Sequence, residues 1–316
     1  MIKQVLSSCL IGFYSVTALC ANNNDAKQTE NLSAPLMQYD HVSLSEQTIR
    51  SASGGLVLQR DWGNLIGIYT HHDFSEPMFY DFPDVYHSID SLLDTHFGRH
   101  QYLVIFKSES SRVLSGSLSG IQAGAVYGYE WINKPHLSLV LGGGIAVGEF
   151  GVERSDGSNM PAIPVPLIRF NYQSTILETK FEFLTGPNWS FTLRPKSKIR
   201  LTFDSRLDQL RDARDLIFES NLVYRFFDAK HEMGDFAGIA IGFKNDNVGA
   251  FALANKHYTE TLEAHYQSLF ATLDLTLIKV SVGRAFAGRV LYREQLKQHL
   301  GEGYFITVQG VIPLGR

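Results

Sequence analysis

From about Ser51 to the C-terminus, apolar and polar residues alternate with a period of two, segment after segment. Trp189, Phe191 and Leu193 alternate with Ser190, Thr192 and Arg194. Ile199, Leu201 and Phe203 alternate with Arg200, Thr202 and Asp204. Leu273, Leu275 and Leu277 oppose Thr272, Asp274 and Thr276. Side chains on a strand point to opposite faces in turn, so each segment carries one apolar and one polar face. Fifteen segments read this way: 54–60, 64–71, 101–107, 122–131, 136–147, 164–172, 176–183, 188–194, 198–204, 218–227, 235–243, 248–255, 267–277, 278–286 and 303–312. No stretch after the N-terminal segment is long and apolar enough for a membrane-spanning helix.

Two all-β architectures share this alternation. A soluble sandwich turns its apolar faces to a core. A transmembrane barrel turns them to lipid and its polar faces inward. Two features favour the barrel. Tyr127, Tyr129, Trp131, Tyr172, Trp189 and Tyr304 fall near strand ends, as interfacial girdles require. Gly124 with Gly128, and Gly238 with Gly242, crowd one face of their segments, which suits a sharply curved wall. The expectation is a closed antiparallel transmembrane β-barrel of about twelve strands, within a range of ten to fourteen, with long outer loops. Residues 73–100 and 205–216 are expected as such loops, the first holding a short helix over Val85–Phe97. A continuous polar lumen is then lined by Glu178, Lys180, Glu182, Arg194, Arg200 and Arg225. Residues 299–306 have the polar-x-Gly-x-x-aromatic arrangement of a last-strand assembly signal, so barrel assembly machinery is an expected partner.

The N-terminus adds a location. One lysine, an apolar core over 5–19 and small residues before a polar run form a secretory signal over 1–21. A polar leader, read as disordered, follows over 22–50, and a single barrel domain fills 51–316. Export to the outer membrane of a Gram-negative bacterium follows, with outer-membrane lipid and lipopolysaccharide as surroundings. Cys9 and Cys20 both lie in the signal region, so disulfides and thiolate chemistry are excluded from the mature chain. Cys20 follows Leu19, which is bulky for a lipidation site.

Composition agrees. Charged residues are 19% and aromatics 12% of 316 residues, a balance typical of strands. With 28 Lys+Arg against 32 Asp+Glu, the chain lacks the basic excess of a nucleic-acid binder.

One region goes further. Residues 123–131 (AGAVYGYEW), 136–140 (HLSLV) and 163–172 (IPVPLIRFNY) resemble part of the lipid A palmitoyltransferase family. The resemblance covers roughly a fifth of the chain, within 121–172. It implies an outer-membrane barrel whose prolines weaken strand pairing and open a lateral route for lipid. Pro161, Pro164 and Pro166 are the matching prolines. It also implies acyl transfer by a histidine and an Asp-Ser pair in neighbouring outer loops. Here His72, with Ser108 and Ser110, would fill those roles, although the sequence reads Lys107-Ser108-Glu109-Ser110 without the pair.

Other motifs yield no site. His71-His72-Asp73 lacks further ligands at metal-binding spacing, and Gly142-Gly143-Gly144 lacks the lysine of a phosphate loop. No cofactor or metal is expected. The leading reading is a non-enzymatic barrel, a channel or a surface structural protein. A lipid A-modifying acyltransferase is the alternative.

Overall fold

The structure, a computed structural model, describes residues 32–45, 47–74, 85–110, 121–148, 162–184, 186–207, 216–227, 237–254, 259–275, 277–292 and 295–312. The signal sequence with Cys20, the start of the leader, the tips of the loops and Pro161 lie outside them.

Sixteen strands close into one barrel. They are β1 (Leu32–Leu44), β2 (Gln47–Arg60), β3 (Gly63–Phe74), β4 (Val85–Phe97), β5 (His100–Ser110), β6 (Ile121–Lys134), β7 (Leu137–Gly148) and β8 (Ala162–Gln173). The circuit continues with β9 (Leu177–Phe183), β10 (Pro187–Leu193), β11 (Ile199–Leu207), β12 (Leu216–Arg225), β13 (Ala237–Ala254), β14 (Thr259–Leu275), β15 (Ile278–Tyr292) and β16 (Gln295–Val311). Every pair is antiparallel, and all but one join strands adjacent in sequence. Closure comes from β1 against β16, from Leu36↔Val311 to Leu44↔Gly303.

Twelve strands were expected and sixteen are present. The two segments over 235–255 form one long strand, β13, whose pairing with β14 shifts register between Asn247 and Gly249. Two strands escaped the sequence reading. Residues 85–97 form strand β4, not a helix, because Tyr86, Ser88, Leu92 and Asp94 share one buried face across a mixed sequence. Strand β1 and the start of β2 occupy residues assigned to a polar leader. There Ala34, Leu36, Val42 and Leu44 alternate with Pro35, Met37 and Ser43, a pattern diluted by Gln38, Asp40 and His41. The C-terminal motif over 299–306 lies within β16, and Gly142–Gly144 lie in mid β7.

The two ends of the barrel differ. At one end most connections are short, as at Asp61–Trp62, Gly98–Arg99 and Pro135–His136, with the β12–β13 link over 226–236 as the long exception. Gly98 takes φ 61° there, a left-handed conformation that glycine adopts without strain. The opposite end carries the long segments 75–84, 111–120 and 149–161.

The outer face is apolar. Val104, Leu141, Ile145, Leu201, Leu222, Ile241, Leu269, Leu273, Val282 and Ile306 all point outward and are exposed. A band of this extent is what a bilayer covers, not what water tolerates. Near the short-turn end Tyr102, Tyr127, Trp131, Tyr172 and Tyr224 are exposed in turn around the wall. His100 Nδ1 lies 2.8 Å from the Tyr127 hydroxyl, which keeps that polar tip satisfied at the interface. Trp189, Phe191, Phe203, Phe218, Phe243 and Phe286 form a second chain of ring contacts, with centroids 5.1–6.4 Å apart, across β10 to β15.

The interior is not one open lumen. Ala34, Leu36, Val57, Ile66, Leu92, Leu103, Val126, Val140, Val165 and Leu167, with Leu184 just past β9, pack into a buried apolar cluster along the inner face of β1 to β8. Burying each large aliphatic side chain is worth about 1.5–3 kcal/mol. A second cluster joins Val42, Leu44, Ile49, Phe74 and Tyr86 to Tyr266, Phe270, Val290, Leu300 and Phe305, nearer the long-loop end. Strands β5 and β13, on opposite sides of the circuit, meet across the interior.

Candidate functional site

The inner face of β9 to β12 contrasts with that packed half. Glu178, Lys180 and Glu182 share the inner face of β9, and their cross-strand partners on β10 are Thr192, Ser190 and Asn188. On β11 these meet Thr202, Asp204 and Arg206. On β12 they meet Asn221, Glu219 and Ile217. Most of these side chains are half-buried, whereas the inward residues of β1 to β8 are mostly buried. A polar, half-buried crescent therefore runs along one side of a barrel whose other side is filled.

Pairing explains why the crescent is polar. Once the outer face of each strand is spent on Leu, Phe and Trp, the alternate positions face inward and carry the chain's charges. Lys180 Nζ bonds Glu178 Oε1 at 3.1 Å on the same strand. The Asn221 amide donates to Glu219 Oε1 at 2.7 Å.

At the boundary between the filled half and the crescent lies a buried ion triad. Arg169, on β8, donates through Nε to Glu182 on neighbouring β9 and through Nη1 to Asp94 Oδ2 at 2.9 Å. Asp94 belongs to β4, so this bond crosses the interior. The Gln101 amide donates to Asp94 Oδ1 at 2.9 Å. The three charged side chains are 2%, 2% and 5% exposed. Such a group persists only where each charge is paired and hydrogen-bonded.

Three of the expected lumen residues, Glu178, Lys180 and Glu182, stand side by side on β9; Arg200 and Arg225 share the inner face at the short-turn end. Arg225 Nη2 donates to the Pro195 carbonyl at 2.8 Å. Arg194 sits apart from them, exposed in the β10–β11 turn at φ 52°. The interior expected as a continuous polar lumen is instead filled over β1 to β8, by an apolar cluster together with buried polar side chains such as Gln59, Asn64, Gln122 and Asn171, because alternation marks faces without saying which inward faces touch each other. Asp94 and Arg169 were missed. A lone arginine after Ile163, Val165 and Leu167 on one face was the available signal.

Pro164 and Pro166 lie on the outer face of β8. The Gln173 N–H donates toward β7, to His136 O at 3.0 Å, and the Ser174 N–H donates toward β9, to Leu177 O at 2.7 Å. Backbone direction alternates along a strand, so an N–H at positions 164 and 166 would point toward β9. Pairing of β8 with β9 ends at Ile168↔Phe183, which leaves 162–167 with a ladder partner only on the β7 side among the described residues. Proline is tolerated where no donor is needed. The wall is also low here. β9 and β10 have seven residues each, fewer than the 9–11 or so of a spanning strand.

His72 and the serines of the acyl-transfer reading do not converge. His72 faces inward, with Nδ1 2.7 Å from Ser51 Oγ. Ser108 lies on the face of β5 that carries Tyr102 and Val104 outward, so the wall separates the two. Ser110 pairs with His87, not with His72. Among the described residues no group of three or more His, Cys, Asp or Glu side chains is placed to hold a metal ion.

No family model and no curated protein sequence matches the chain. Similar folds occur among solved structures. CdiB from Escherichia coli aligns with TM-score 0.44 and 9% identity over 89% of this chain and 63% of its own. Acinetobacter baumannii OccAB3 aligns with TM-score 0.41 and 7% identity over 91% of this chain and all of its own. The COG4313 outer membrane channel from Pseudomonas putida F1 aligns with TM-score 0.24 and 12% identity over 91% and 97%. The chain spans about 63% of the length of CdiB.

Proposed function

We propose that this chain is a non-enzymatic outer-membrane channel. The observation that carries the reading is the crescent along β9 to β12, where charged and hydroxyl side chains stay half-buried beside an otherwise filled interior. A structural barrel without transport has no need to keep Glu178, Lys180, Asp204, Arg206 and Glu219 inside at the cost of their desolvation. The short-turn end faces the periplasm and the long segments face outward, as outer-membrane barrels are built. The low wall at β9–β10, beside Pro164 and Pro166, is a place where lipid or a solute exchanges laterally with the crescent, because strand pairing there needs no bonds broken.

Lipid acyl transfer draws no support from His72 and Ser108, which stand on opposite faces of the wall, or from Ser110, whose register partner is His87. Purified protein in planar bilayers should give discrete conductance steps, and in vesicles containing lipid A it should transfer no labelled acyl chain. Silent bilayers, with protein shown to be folded and inserted, would refute the channel.

A further inference from the structure

We infer that the crescent conducts small anions, carboxylate- or phosphate-sized, and that the β10–β11 turn is the mouth that gathers them. This rests on the channel reading. Along the crescent Lys180, Arg200, Arg206 and Arg225 face inward, joined by Lys244 on the adjoining β13. Against them stand Glu178, Asp204 and Glu219. Glu182 shares Arg169 with Asp94, so the triad at the boundary adds one net negative charge and still leaves the positive charges in excess. The path is therefore net positive, in a chain whose formal charge is −4.

The mouth continues the same sign. Leu193-Arg-Pro-Lys-Ser-Lys-Ile-Arg200 joins β10 to β11 at the short-turn end, and Arg194, Lys196 and Lys198 are exposed on it. Arg200 and Arg225 lie just inside, and the Arg225 bond to Pro195 O, with Arg225 N–H to Lys198 O at 2.9 Å, ties the turn against β12. The described residues of this turn hold no carboxylate. Charges of one sign fixed over a low-dielectric entrance focus the field and raise the local concentration of counter-ions. A cation entering from this end meets Arg194, Lys196, Lys198, Arg200 and Arg225, whereas an inward carboxylate at the level of Arg225, Asp274 on β14, lies opposite Lys279 in register.

The test is the reversal potential of single channels in a KCl gradient, with chloride and potassium as the probes. The unaltered protein should favour chloride. Arg194→Glu with Lys196→Glu and Lys198→Glu should move the reversal potential toward potassium. Lys196→Gln with Lys198→Gln, a milder change, should move it part of the way. Arg60→Glu with Arg99→Glu and Lys134→Glu alters net charge equally at other short turns and should leave selectivity in place. Heat-modifiable migration on gels confirms that each variant is folded. A potassium-selective unaltered channel, or equal shifts from both triple variants, would overturn the anion mouth while leaving the channel standing. Absence of any conductance would overturn the channel itself.

Discussion

Replacing Arg169 by methionine isolates the contribution of the buried triad. The substitution keeps volume and apolar stem but removes the cation between Asp94 and Glu182. Both carboxylates then stay in a site where the three side chains are at most 5% exposed. Two charge-assisted bonds are lost, each worth about 1.5–3 kcal/mol, and the remaining carboxylates repel. Removing one partner of a buried ion pair costs about 3–5 kcal/mol. The Gln101 bond to Asp94 softens this without neutralising it. Urea unfolding from lipid vesicles, followed by the fluorescence of Trp131 and Trp189, measures the loss. Adding Asp94→Asn and Glu182→Gln to Arg169→Met should recover at least half, because the uncompensated charges are then gone. A loss below about 1 kcal/mol for Arg169→Met alone would show that the triad is hydrated, and the boundary between filled half and crescent would fall with it.

Other perturbations separate faces and close approaches. Leu222→Arg or Ile241→Arg, on the lipid face, should cost about 2–4 kcal/mol at the bilayer midplane, while Thr202→Arg inside should be tolerated; similar losses on both faces would contradict the orientation. A Cβ at Gly142 would come within 2.0 Å of the Tyr127 carbonyl oxygen, and one at Gly144 within 2.0 Å of that of Ala125. Gly142→Ala and Gly144→Ala should therefore lower the yield of heat-resistant barrel, whereas Gly143→Ala, whose nearest contact is 3.4 Å, should not. Arg284→Ala removes an ion pair to Glu302 that is 74% and 60% exposed, and unfolding should shift by no more than about 1 kcal/mol.

Much of the fold is written in single strands. Alternation at Trp189–Leu193, Ile199–Phe203 and Leu273–Leu275 marks both the strand and its lipid face, because a period of two is a local property of the backbone. Glu178, Lys180 and Glu182 could be placed on one face of β9 for the same reason. Where polar residues broke the alternation, as at Gln38, Asp40 and His41 in β1 or His87, Asp90 and Ser91 in β4, the strand became visible only once its neighbours were paired to it. Closure and strand number depend on such pairing, and pairing is not local. The interior is further still from the sequence. That Val57, Leu103 and Leu167 fill one half, that Asp94 reaches Arg169 across the barrel, and that β9 to β12 keep their charges only half-buried all depend on contacts between distant strands. Where alternation is clean, the sequence by itself determined which residues face away from lipid; only the closed wall decided which of them pack against each other and which stay half-buried.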